Sequence, residues 1–231
     1  MNQFVLAFPI PVAASEIFSV TENVQVAPDA KTVVLPGCSV QFNVVRNGAA
    51  AGLSEIFAEH REISAEEKSA IDGHKSLLFL LGIVKNADEL RMVNGAILKV
   101  LAAGATGVYM QHSGTAWTDM GFREELDDGE FPMDPWINFV ESADTLYTLG
   151  LETFALPDLC ISKSVGQTEE LHDVLGVVAD SIFVDGISSK SGSEVDGGDA
   201  GSFVLRQEIK SPFPKTASEF NKQGIMRLVK Q

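Results

Sequence analysis

Residues 76–111 constrain the fold of this chain more than any other stretch. From Leu77 to Val84 every side chain is apolar, which is enough for a strand but far short of the roughly 20 residues that cross a bilayer. An apolar run without alternation suits a strand covered on both faces. Asn86 then opens a segment in which Leu90, Val93, Ile97, Val100 and Leu101 recur every three or four residues, the stripe of a helix lying on a sheet. Gly104 closes that helix, and 106–111 returns to an extended form with Val108 and Met110 on one side. The pattern predicts a β-α-β unit with parallel strands and a right-handed crossover.

The flanks add strands on both sides. Residues 3–8 read as a buried first strand ended by Pro9 and Pro11. No Lys or Arg precedes the apolar run 4–14 and prolines interrupt it, so it reads as a strand rather than a secretory signal. Residues 13–23 fit a short helix or an irregular strand. Val40, Phe42 and Val44 alternate with polar neighbours, and Pro36-Gly37 supplies a turn, so 31–35 and 39–46 form a hairpin. Ser64 and Glu67 form a capping box for a helix to Ile71, ended by Asp72-Gly73. Beyond 111, strands are expected at 136–141, 145–151 and 159–162. A helix at 167–183 carries the stripe Leu171, Val174, Leu175, Val178 and Ile182, and a last strand follows at 202–209. Gly, Ser and Asp dominate 188–201, which reads as a mobile loop.

This order predicts an α+β protein with a ferredoxin-like split βαβ core over 64–209, an N-terminal β extension and a mid-chain acidic insertion. The N-terminal strands, 1–50, are expected to pack on that core as one domain, 1–209. Residues 210–231 are left as a basic tail, since 206–231 holds six bases against two acids. The whole chain carries a formal charge of −15, which leaves −19 on the first 205 residues. Such a field repels nucleic acid and anionic membranes. Two cysteines, Cys38 and Cys160, are too few for a disulfide framework and fit reduced thiols in the cytoplasm.

The most distinctive text is Thr145–Leu159, TLYTLGLETFALPDL. Thr148, Gly150, Leu151, Phe154, Pro157 and Leu159 stand where the signature T-x-G-L-x-x-F-G-x-P-E-L places its residues, while Ala155 replaces the usual Gly and Asp158 the usual Glu. His74-Lys75 before an apolar strand and Gly107-Val108-Tyr109 at the next strand agree in order. On these residues the chain resembles the bacterial family known only as the domain of unknown function numbered 4261. The resemblance spans about 5–209 and implies kinship and fold, with no activity attached.

Candidate chemistry is sparse. His112 follows the second parallel strand, where open α/β sheets bind ligands, and Ser113, Thr115 and Trp117 follow it. Together they predict a pocket for a small molecule or a hydrolytic reaction, although Gln111-His112-Ser113-Gly114 is no nucleophile elbow. His60 lies in a charged run, His74 at a strand mouth, and His172 three residues from Glu169 on a helix. None has metal-ligand company that names a metal. Phosphate-loop and EF-hand spacings are absent. The acids from Glu124 to Asp134, with Asp127 and Asp128 at their centre, predict a surface for a basic protein partner or a second copy of the chain. The expectation is therefore a non-catalytic interaction or ligand-binding domain without cofactor or metal. The alternative is an enzyme with its pocket near His112.

Overall fold

In the computed structural model of this chain, residues 3–59, 61–128, 131–217 and 219–231 are described. They divide into two compact units, Gln3–Glu130 and Phe131–Gln231, each built on a six-stranded sheet. The α+β class holds.

In the first unit the elements are β1 (Phe4–Ile10), β2 (Phe18–Thr21), β3 (Val24–Val26), β4 (Thr32–Val34), β5 (Gln41–Gly48), α1 (Leu53–Ala58) and α2 (Ala65–Asp72). After these come β6 (Ser76–Gly82), α3 (Ala87–Ala102), β7 (Gly107–Met110), β8 (Ala116–Thr118) and α4 (Asp119–Asp128). The sheet order is β4-β5-β6-β1-β7-β8, antiparallel at every recorded pairing. Since β6 and β7 both run against β1, they are parallel to each other with β1 between them. The β-α-β unit expected over 76–111 is thus present and split, and the strand that fills it is the first one. Pro9 lies inside that strand rather than ending it: its carbonyl accepts from Thr106 N at 3.0 Å, so the missing proline donor falls where the β7 ladder has just stopped.

Local signals explain the helices. Ser64 accepts from Glu67 N while Glu67 accepts from Ser64 N, and α2 ends at Gly73. Asn86 caps α3 by accepting from Glu89 N, and Leu90, Val93, Ile97, Val100 and Leu101 are all buried. Between Phe18 and Val26 the strand alternative holds, as a small hairpin of β2 and β3.

The second unit runs β9 (Asn138–Glu141), β10 (Thr145–Leu149), β11 (Asp158–Ser162), α5 (Thr168–Phe183), β12 (Glu194–Asp196), β13 (Ser202–Gln207) and β14 (Ile225–Lys230). The sheet order is β12-β13-β14-β11-β10-β9, with β11 and β14 parallel and the other neighbours antiparallel. The buried positions of α5 include the predicted stripe.

Three expectations are corrected. A single sheet over 64–209 does not form: β1 already occupies the slot between β6 and β7, and β10, β11 and β13 belong to a second sheet, with β14 between β11 and β13. Residues 210–231 are not a tail, because Ile225, Met226 and Leu228 are buried and make β14 an inner strand. The expected loop 188–201 contains β12, anchored where Val195 is buried opposite Phe203.

Candidate functional site

Because β7 and β8 pair antiparallel, with Val108 opposite Trp117 and Tyr109 opposite Ala116, the residues between them close a tight hairpin. Met110 N donates to Thr115 O at 2.8 Å and Gly114 N to Met110 O at 2.9 Å. His112 donates from Nε2 to Gln3 O at 2.8 Å, tying the turn to the start of β1. Ser113 Oγ lies 2.8 Å from Thr115 Oγ1 and both residues are buried. Trp117 is 2 % exposed, packed as core with the Arg61 guanidinium carbon 3.3 Å from its ring centroid. Of the predicted pocket residues, Ser113 and Trp117 are thus buried and His112 is bound to the start of β1, all three on or beside one hairpin. Two cavities are described in this unit, and Gln3, the partner of His112, lines one of them. One of about 320 Å³ is lined by Ser54, Glu55 and Lys68, another of about 250 Å³ by Gln3, Gln41, Asn43 and Lys85.

A second trio resembles a catalytic one by composition. Ser54 Oγ donates to Asp72 at 2.8 Å, and Ser54 N donates to its other oxygen at 3.1 Å. These bonds hold the Asp72 carboxyl below the usual range. His74 stands close by but serves the backbone on both sides: Nδ1–H donates to Ile71 O at 2.6 Å and Nε2 accepts from Ala50 N at 3.0 Å. With both ring nitrogens engaged and the hydroxyl turned to Asp72, the trio ties α1 to the end of α2 and has no base poised on a nucleophile. His172 stacks on Phe139, ring centroids 4.5 Å apart. No cluster of three metal-ligating side chains occurs among the described residues, and His60 lies outside them.

The acids expected in an inserted loop are corrected to a helix. Asp119–Asp128 is α4, and Asp134 belongs to the second unit. Phe122 is fully buried, while Met120, Arg123, Glu124 and Asp127, spaced three and four apart, are exposed on one face. The side chain of Asp128 and all of Gly129 and Glu130 lie outside what is described. Arg123 pairs with Asp119 at 2.9 Å. Glu124 and Glu125 favour the charge of Arg61, which burial disfavours. Four acids (Glu124, Glu125, Asp127, Asp128) fill the end of α4 with no base in its last turn. That is the end where the helix dipole is itself negative.

The signature stretch 145–159 builds a buried polar knot that the motif did not announce. Gly150, at φ +109°, turns the chain out of β10 into a short 3-10 turn, Leu151–Phe154, and Ala155 ends that turn at φ +58°. Thr148 is wholly buried, its hydroxyl oxygen accepting from Leu159 N at 2.8 Å. The Asp158 carboxylate, 3 % exposed, accepts from Leu151 N at 3.2 Å and is hydrogen-bonded to Asn221. Asn221, equally buried, donates to Leu156 O at 2.9 Å and accepts from Gln223 N at 2.8 Å. Burial above all, with Glu152 nearby, pushes the Asp158 carboxyl up to about 7. Cys160 is buried two residues on, its thiol pushed up to about 12 by burial, so it is a packing group rather than a nucleophile.

No protein-family model, curated protein or solved structure matches this chain.

Proposed function

We propose that the protein is a non-catalytic interaction domain whose acidic α4 face receives a basic protein segment. One observation carries this reading: four acids gathered at the carboxyl end of α4, where each opposes the helix dipole. Acids concentrated at the helix end that disfavours them break a local stabilising rule, and such a place is where a binding role is expected. Met120, 59 % exposed on the same face, adds an apolar contact of the kind interfaces use. The groups that could have served chemistry near His112 are instead engaged with Gln3 O and Thr115, which lends the pocket reading no support. The net charge of −15 supports a partner other than nucleic acid, and two buried free thiols support a reducing, cytoplasmic setting. No helix is long and apolar enough to cross a membrane among the described residues. Kinship with the uncharacterised family that 145–159 resembles is part of the same proposal and adds no activity.

A titration with a lysine- and arginine-rich peptide, followed by amide NMR, tests the reading. Shifts should map to α4 and weaken at least tenfold in affinity when salt rises from 50 to 300 mM, since exposed charge pairs are screened. The double variant Glu124→Gln, Asp127→Asn should lose most of the binding. Shifts mapping to other elements, or an affinity indifferent to salt, would overturn it. Light scattering of the free protein separates the basic partner from self-association.

A further inference from the structure

The 219–224 segment is held to the second sheet by a small set of bonds centred on a buried acid. Asp158 N donates to Gly224 O at 3.1 Å, and the Asp158 carboxyl reaches both Leu151 N and Asn221. Asn221 in turn fixes Leu156 O and Gln223 N. Three pieces of chain meet at one carboxyl group: the turn Leu151–Phe154, the start of β11, and the segment leading into β14.

Among the described residues no cation acts on that carboxyl. Its partners are neutral donors. Glu152 faces it from the turn, and the cation of the neighbouring segment, Lys222, is spent on Glu152 at 3.7 Å. Glu219 is the other charge on that segment. Arg227, farther along β14, is engaged by Glu208, and β10 brings no charged residue. A carboxylate in such surroundings is costly, and the molecule has two ways to relieve it. Either the acid keeps its proton, or the 219–224 segment lifts and lets water reach the charge.

We propose that Asp158 is a proton-binding latch: the protonated acid keeps 219–224 closed on the sheet, and loss of the proton favours its release. The coupling follows from linkage. A closed state that binds the proton more tightly than the open state must open more readily as the proton leaves. The carboxyl's elevation to about 7 puts this change in the neutral range. With the ordinary value near 3.8 in the open state, closure is strongest below about pH 4, weakens through the interval, and levels off above about 7.

Carboxyl-carbon NMR and amide hydrogen exchange on the full chain test the latch. The Asp158 carboxyl should titrate within about one unit of pH 7, apart from the other aspartates. Protection of the Asp158 and Gln223 amides, corrected for intrinsic exchange, should fall at least tenfold between pH 5 and 7 and then level. Asp158→Asn should make that protection independent of pH. Should this variant fail to fold, Glu152→Gln supplies the test: removing the facing negative charge should move the Asp158 midpoint to lower pH. A carboxyl that titrates with the ordinary aspartates would overturn the proposal. So would protection that is flat in the native chain, or a midpoint unmoved by Glu152→Gln.

Discussion

Ala155 shows at the scale of one residue what the signature stretch is for. It is the one non-glycine with positive φ among the described residues, and it stands where the resembled signature has glycine. An L-residue in the left-handed region costs about 1–2 kcal/mol, against about 0.5–1 kcal/mol of extra chain entropy that glycine loses on folding. Ala155→Gly should therefore stabilise the protein by about 0.5–1 kcal/mol, read as a higher urea midpoint at unchanged slope. Ala155 is exposed, so no packing is lost with its methyl. Gly107 is the opposite case: a Cβ there would meet the Phe57 ring at 2.4 Å and Trp117 O at 2.7 Å, so that glycine is required by close approach. Both positions are visible in the sequence as letters, but their reasons are not, since a dihedral and a neighbouring ring leave no local trace. Asp158 was equally hidden. The signature marks the position of this acid but not its burial, and only the fold brings Asn221, 63 residues later, against it.

At the scale of elements, what was legible is what local chemistry decides. The caps of α2 and α3, the stripes of α3 and α5, and the hairpin of β4 and β5 each rest on residues within one or two turns of each other. Ser64→Ala removes both bonds of its hydroxyl, one from Glu67 N and one to the Glu67 carboxylate. It should cost about 1 kcal/mol, measured by urea unfolding. Amide exchange should show the loss concentrated in the first turn of α2. Elements fixed by distant partners were missed. In β14 the pattern Ile225, Met226, Arg227, Leu228, Val229, Lys230 is broken by two bases, and its strand state comes from β11 and β13 on either side. The end of α4 was read as a loop because Asp and Gly favour turns. Phe122, buried in the core, anchors the helix through them instead.

The whole molecule changes how its charge is read. A division at residue 205 separates an acidic body from a basic end, but the chain divides at 130. Acids and bases number 17 and 9 up to that point, and 15 and 8 beyond it. Both units are thus acidic to nearly the same degree, and two of the six late bases pair within their own unit, Lys222 with Glu152 and Arg227 with Glu208. If the second unit depends on β14, ending the chain after Gly224 should abolish its order while sparing the first. Amide NMR spectra should then keep dispersed signals for 3–128 and lose them for 131–224; dispersed signals retained beyond 131 would show β14 dispensable. The first sheet has a different weak point, in time rather than in energy. Its inner strand β1 must find Ser76 across 66 residues from Ile10, and Met110 across 104 from Leu6. Each of those closures spends chain entropy before any ladder bond repays it, so the search for partners outlasts helix formation by orders of magnitude. Until β1 docks, β6 and β7 offer two bare inner edges to any passing strand, and the slot that organises the finished unit is the place where a half-folded one is most exposed to aggregation.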